Sequence, residues 1–151
     1  MIPASSSLAQ TTLNSLSSVV FVIAPEKVIA KRGSTQPVEF TVQVKSGYHV
    51  NSNTPEDEFL IPLRFTFTSD SGVQIDAMQY PKPTLEKLQF STKPVSVLQG
   101  DFKTKATLKI QPTATAGLTH VLGKLRYQAC NDRLCLPPRT LEVKIPVEIR
   151  N

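Results

Sequence analysis

Apolar and polar residues alternate along several stretches of the chain. From Val38 to Val44 every second residue is apolar, and Glu39, Thr41 and Gln43 lie between them. Residues two apart lie on the same face of a β-strand, so this pattern predicts a strand with one buried face. The same alternation predicts four more such strands, over residues 63–68, 102–110, 121–129 and 141–149.

Short segments rich in Gly, Ser and Asp separate these runs and are typical of turns. Shorter apolar runs predict further strands at residues 19–23, 28–30, 49–50, 73–78 and 95–98, and no long stretch has helical periodicity. Many short strands at this spacing favour an all-β fold, an immunoglobulin-like antiparallel β-sandwich with two sheets packed face to face. Pro146 lacks an N–H on the outward face of the last strand, which predicts an edge or bulged position there.

The composition agrees with this fold class and limits the domain count. The chain has 151 residues, among them 12 Pro and 6 Gly, which disfavours a helical bundle. We expect a flexible N-terminal segment at residues 1–18 and a single β-sandwich domain at residues 19–151. The segment lacks the basic and apolar parts of a secretory signal. Two long loops, residues 51–62 and 81–94, are candidate binding segments.

The positive charge does not point to a nucleic acid. There are 17 Lys+Arg against 12 Asp+Glu, a net charge of +5, but the lysines are scattered along the wet faces of strands. We find no basic cluster interleaved with aromatic residues, and we expect no nucleic-acid partner. The longest apolar run, residues 19–24, is far shorter than a membrane-spanning helix.

The two cysteines are the strongest candidates for chemistry. Cys130 and Cys135 have four residues between them and occupy the connection between the last two alternating strands. A structural disulfide closing so short a loop would contribute only about 2 kcal/mol. A metal site would need His49 and His120 as further ligands, but neither has ligand spacing, and we expect no metal.

A reversible dithiol/disulfide is the third interpretation of the pair. Exchange requires a thiolate and an accessible sulfur, and cysteines on an exposed turn can meet both needs. Arg133 would favour a thiolate at Cys135, whereas Asp132 would oppose it. The spacing differs from the thioredoxin Cys-x-x-Cys, so spacing alone leaves the three interpretations open.

The residues around the cysteines resemble a known family. Tyr127-Gln128-Ala129-Cys130, followed by Cys135-Leu136-Pro137-Pro138, is similar to the signature of the N-terminal periplasmic domain of the thiol:disulfide interchange protein DsbD. Upstream, Gly47-Tyr48-His49-Val50 resembles a turn and strand of the same family. The resemblance covers roughly residues 25–149, and it implies an immunoglobulin-like β-sandwich, in agreement with the strand pattern.

The resemblance implies an electron relay, and with it a protein-disulfide reductase domain. In that family a membrane electron-transporter domain supplies a thioredoxin-like domain, which reduces the sandwich domain. The sandwich domain then reduces disulfide isomerases or cytochrome c maturation proteins in the periplasm. By analogy Cys135 forms the mixed disulfide and Cys130 resolves it. We expect a monomer that needs no cofactor and lies outside the cytoplasm. The chain is expected to be either part of a membrane-anchored protein or a stand-alone relative of the family.

The family also covers its cysteines with a loop that carries a Phe, for which Phe90 is the candidate here; a packing role for Phe90 is equally compatible. Tyr48 and Tyr127 are expected to flank the cysteine site, as are Asp132 and Arg133. Two departures are visible: the family spacing is five residues, and its cap Phe follows acidic residues where this chain has Leu88-Gln89. Glu86 and Asp132 are candidate replacements for that acidity.

A function of another class fits the same fold. A non-enzymatic immunoglobulin-like binding or adhesion module would hold a partner with its long loops or an open sheet edge. Its disulfide would be inert and buried. The two functions therefore differ in how accessible and how reducible the cysteine pair is.

Overall fold

The computed structural model describes residues 18–69, 72–89 and 91–151, which form twelve β-strands and no helix. The predicted flexible segment lies outside the described residues except for Ser18. In chain order the strands are β1 (Val20–Ile23), β2 (Val28–Lys31), β3 (Thr35–Val44), β4 (His49–Asn51), β5 (Arg64–Ser69), β6 (Val73–Gln79), β7 (Thr84–Glu86), β8 (Val95–Leu98), β9 (Asp101–Ile110), β10 (Gly117–Tyr127), β11 (Ala129–Cys130) and β12 (Arg139–Arg150).

Two four-stranded sheets form the sandwich. The first has the order β1-β3-β9-β6, and the second has the order β2-β12-β10-β5. All of their pairings are antiparallel except that of β12 with β2. Phe40 of the first sheet stacks on Phe65 and Phe67 of the second, with ring centroids 5.1 and 5.7 Å apart. The all-β, immunoglobulin-like sandwich expected from the sequence is confirmed.

The core lies between the inward faces of the long strands. The alternating apolar residues of β3, β9, β10 and β12 become buried one after another, and one hydrophobic cluster joins both sheets. Its largest fully buried side chains include Tyr127, Phe40, Leu63, Leu108 and Leu125. In these strands the apolar residues at every second position are therefore the buried ones.

The last strand is not an edge strand over its whole length. β12 pairs with β10 on one side and, over Val147–Arg150, with β2 on the other. Pro146 lies immediately before the register with β2 begins. The predicted edge position is therefore wrong for the end of β12. Pro146 itself does not pair with β2, so its missing N–H costs no hydrogen bond to that strand.

A third sheet was not predicted. It has four short strands in the order β11-β4-β8-β7, and it carries the first cysteine. β7 lies within the predicted loop 81–94 and pairs with β8 from Thr84 to Glu86. Three residues are too few to show an alternation, and this strand is held by backbone pairing with β8, so the sequence pattern does not reveal it.

Candidate functional site

Both cysteines lie on a tight hairpin at the edge of the third sheet. Cys130 ends β11, and Cys135 faces it as an antiparallel bridge partner. Hydrogen bonds flank the pair: the Asn131 N–H donates to the Leu134 carbonyl (2.9 Å), and the Leu136 N–H donates to the Ala129 carbonyl (2.8 Å). The cysteines thus occupy a non-hydrogen-bonded pair, where facing residues approach most closely. Their Cα atoms are 4.0 Å apart, and their sulfurs form a disulfide.

The turn between the cysteines has its own support. The Asn131 side-chain oxygen Oδ1 accepts hydrogen bonds from the N–H groups of Arg133 and Leu134, both at 2.9 Å. Such Asx turns are a standard use of asparagine in loops. These bonds do not involve the sulfurs, so we expect the turn to keep its conformation when the disulfide is reduced.

The two cysteine residues differ in exposure. Cys130 is completely buried, whereas Cys135 is half-buried. The turn residues Asp132, Arg133 and Leu134 are all exposed. A partner approaching the hairpin therefore meets Cys135 first, with Cys130 behind it.

A loop from the neighbouring strands lies against the hairpin. The Gln89 N–H donates to the Asp132 carbonyl at 3.3 Å. Leu88 is buried in a small cluster with Val95 and Val97, which anchors the loop to β8. The loop expected to cover the cysteines thus contacts their turn. Phe90, the predicted cap residue, lies outside the described residues.

His49 is the cross-strand partner of Cys130. β4 and β11 pair antiparallel with Cys130 opposite His49 and Ala129 opposite Val50. The His49 side chain is buried, and among the described residues its Nε2 has no hydrogen-bond partner. Burial lowers the pKa of His49 below its usual 6.5, while the nearby Glu86 carboxylate acts in the opposite direction.

The sequence named His49 as a metal ligand without ligand spacing and as part of the Gly47–Val50 resemblance, and gave it no role beside the cysteines. Among residues 18–69, 72–89 and 91–151, no group of three or more His, Cys, Asp or Glu side chains is arranged to hold a metal ion. His49 lies opposite a cysteine because two strands that are far apart in the sequence pair in the third sheet. Only the pairing of the Gly47–Val50 segment with the cysteine strand could have shown it.

The two tyrosines predicted to flank the site lie at different depths. Tyr127 is buried, and burial raises its pKa above the usual 10.0 against the opposing effect of Arg139. It lines a small cavity of about 30 Å³ together with Ala129, Leu136 and Pro137 of the hairpin. Tyr48 is half-buried and packs against the main core. Tyr127 therefore supports the hairpin from inside the sandwich.

Gln128 was not singled out for a role in the sequence, and the structure gives it one. Its side-chain oxygen accepts hydrogen bonds from Asn51 Nδ2 (3.1 Å) and from the Ile61 N–H (3.2 Å). Asn51 Nδ2 also donates to the Ile61 carbonyl at 3.0 Å. This network ties the residue before β11 to the long loop 51–62 and fixes the strand that carries Cys130.

The family of the chain follows from a comparison with family models. The model described as "Thiol:disulfide interchange protein DsbD, N-terminal" matches residues 20–146. The chain belongs to the DsbD N-terminal domain family. The match includes both long loops, the hairpin and most of β12, so it covers the whole site described above. The resemblance drawn from the cysteine segment is confirmed.

Two solved structures are similar to this chain, and the first of them supports the same fold. The N-terminal periplasmic domain of ScsB from Proteus mirabilis is 16% identical with a TM-score of 0.51, over 82% of this chain and 44% of that one. The reduced DsbD N-terminal domain of Neisseria meningitidis is 14% identical with a TM-score of 0.48, over 78% of this chain and 82% of that one. The DsbD-family chain thus spans less than half of the ScsB chain. A search of curated proteins gave no match.

Within the described ranges, no helix is long and apolar enough to cross a membrane.

Proposed function

We propose that this DsbD-family domain exchanges disulfides with thioredoxin-like proteins through Cys130 and Cys135. The observation that carries the proposal is the hairpin itself. It presents one half-buried and one fully buried cysteine on a turn that has its own hydrogen bonds. Membership of the DsbD N-terminal family supports the same role.

The reaction starts from the reduced domain. The Cys135 thiolate attacks a sulfur of the partner's disulfide, that S–S bond breaks, and its electron pair leaves on the partner's second sulfur. Cys130 then loses its proton and attacks the Cys135 sulfur, which releases the partner's first sulfur as a thiolate. The partner gains two electrons and leaves as two thiolates, which take up the proton of Cys130 and the proton that Cys135 lost to solvent when it ionised. The domain ends with the Cys130–Cys135 disulfide. No cofactor is needed for this exchange.

The burial of the two cysteines supports their proposed roles. Cys135 can be reached from outside, so it takes the attacking role, and Cys130 resolves the mixed disulfide from behind it. Pro137 and Pro138 restrict the backbone beyond Leu136, from the second residue after Cys135. In the reverse reaction, a partner's dithiol attacks Cys135 and reduces the Cys130–Cys135 disulfide.

The family supports a place for this exchange outside the cytoplasm. We propose thioredoxin-like partners there, with a membrane electron-transporter domain as the ultimate source of electrons and disulfide isomerases or cytochrome c maturation proteins as acceptors. We also propose that residues 19–151 act as one monomeric domain, with Phe90 as the cap residue and Tyr48, Asp132 and Arg133 beside the cysteines.

The test is a trapping experiment with purified single-cysteine variants. Cys130→Ser leaves the attacking sulfur without its resolving partner, and Cys135→Ser is the matched control. Each is mixed with a purified thioredoxin that retains only its attacking cysteine, activated as a mixed disulfide with a small thiol. Cys130→Ser should form a stable disulfide-linked complex, and Cys135→Ser should form far less.

The outcomes separate the two candidate functions. Trapping by Cys135→Ser alone would reverse the roles of the cysteines. If neither variant traps the thioredoxin, and excess reductant leaves the wild-type disulfide closed, the domain is a binding module with an inert disulfide.

A further inference from the structure

A buried sulfur needs a route for its proton. Cys130 is completely buried, yet in the proposed exchange it must give up a proton each time it resolves a mixed disulfide. In the disulfide form Cys130 has no exposed surface, so a neighbouring side chain is better placed than bulk water to take that proton. The residue directly across the sheet from Cys130 is His49.

The register of the third sheet places His49 and Cys130 opposite each other. Facing residues of antiparallel strands point to the same side of the sheet, with Cβ atoms about 4.5–5.5 Å apart. His49, Cys130 and Cys135 form a continuous row of facing residues, since Cys130 pairs with His49 on one side and with Cys135 on the other. The His49 side chain is therefore on the same side of the sheet as the two sulfurs, on the strand next to Cys130.

The His49 imidazole also lacks a partner that a thiol would supply. Buried polar atoms are normally hydrogen-bonded, and each exception calls for an explanation. His49 Nε2 is buried without a partner among the described residues, in a state where Cys130 is bonded to Cys135 and has no S–H. Reduction gives Cys130 an S–H, which is the donor that this nitrogen lacks.

We propose that His49 accepts the proton of the Cys130 thiol as Cys130 attacks the mixed disulfide at Cys135. The inference rests on the proposed function and names the residue that assists its second step. The S–H bond of Cys130 breaks and its proton moves to Nε2. The Cys130 sulfur forms a bond to the Cys135 sulfur, the bond from Cys135 to the partner breaks, and the partner sulfur leaves as a thiolate. The imidazolium then passes its proton to the leaving thiolate or to water.

The charges around His49 suit this role. Glu86 of β7 is the carboxylate whose charge acts on His49, and it favours the imidazolium. β8 contributes no titratable side chain, since its residues are Val95 to Leu98, and β11 contributes only Cys130. The charged side chains of the turn, Asp132 and Arg133, are exposed. Burial favours the neutral imidazole at neutral pH, which is the form that accepts a proton.

The test follows the two steps separately with an aromatic disulfide. Reduced protein is mixed with 5,5′-dithiobis(2-nitrobenzoate), which releases one coloured thiolate when Cys135 attacks and a second when Cys130 closes the disulfide. The chain has two histidines, so His49→Gln has a matched control in His120→Gln, because His120 is exposed on β10 of another sheet. General-base assistance is commonly worth about 100-fold or more, so at pH 7 His49→Gln should slow the second release at least tenfold. The first release should change less than twofold, and His120→Gln should match the wild type in both.

The pH profile of the wild type gives a second readout that does not depend on a variant. In the wild type, the rate of the second release should stay constant as the pH is lowered to a value below 6.5. In His49→Gln, that rate should decrease once the pH is lower than the usual thiol pKa of about 8.5. An equal second release in His49→Gln and wild type, or a wild-type profile governed by a pKa near 8.5, would overturn the role of His49 and leave the exchange intact. If the wild type releases only one thiolate, the exchange itself fails, and this inference fails with it.

Discussion

The turn between the cysteines should set part of the stability of the disulfide, and Asn131→Ala tests this. In the wild type, Asn131 Oδ1 accepts two backbone N–H groups across the turn. Alanine removes the acceptor and leaves both N–H groups in place. The turn then closes less readily, so the two thiols meet less often and the disulfide is less favoured. The reduction potential of the pair should rise.

The size of the shift follows from the hydrogen bonds. One net hydrogen bond is worth about 0.5–1.5 kcal/mol. Asn131 is only half-buried, so water replaces part of the loss, and about 1 kcal/mol for both bonds is a reasonable upper estimate. For a two-electron couple about 1.4 kcal/mol corresponds to 30 mV, so the potential should rise by up to about 20 mV.

The assay is equilibration of the variant with glutathione buffers of known potential, followed by alkylation of free thiols and mass spectrometry. Leu134→Ala is the matched control, because Leu134 is exposed and its substitution keeps the N–H that bonds to Asn131. Its potential should equal that of the wild type. A potential for Asn131→Ala that is unchanged, or lower than that of the wild type, would refute the view that Asn131 holds the sulfurs together.

Three further predictions concern stability. Phe40→Ala should lower the free energy of unfolding in urea by about 3–5 kcal/mol, because Phe40 is fully buried and stacks on two rings of the facing sheet; a loss below 1 kcal/mol would contradict this packing. Gly72→Ala should cost about 1–3 kcal/mol by the same assay, because Gly72 has φ +93° and its Cβ would lie 2.9 Å from that of Ala114. Native His49 has a lowered pKa, so the unfolded chain binds a proton first as the pH falls through 6.5, and stability should decrease there. His49→Gln should remove that decrease below pH 6.5, and an identical pH dependence in wild type and variant would count against it.

The main sandwich could be predicted from the sequence because its strands are long and half-buried. β3, β9, β10 and β12 each run for ten or more residues, and their alternation is visible without any knowledge of their partners. Pairing between distant segments is not visible in this way. The parallel contact of β2 with β12, which places β12 inside its sheet, joins residues more than a hundred positions apart.

The cysteine pair could be found from the sequence, but most of its surroundings could not. The two sulfurs, their turn and the family signature are local in the chain. The partners of the hairpin are not: His49 reaches Cys130 through β4, and Gln89 reaches Asp132 from another loop. Each contact depends on the short third sheet, whose strands of two to four residues carry too little pattern to predict their pairing.

The reduction potential of the Cys130–Cys135 couple tests the central claim most directly. It is obtained by equilibrating the wild-type domain with thiol buffers and counting free thiols at each potential. We predict a value between about −270 and −180 mV, the range of proteins that exchange disulfides. A value well below about −300 mV would mark a structural bond, and it would contradict the proposed exchange.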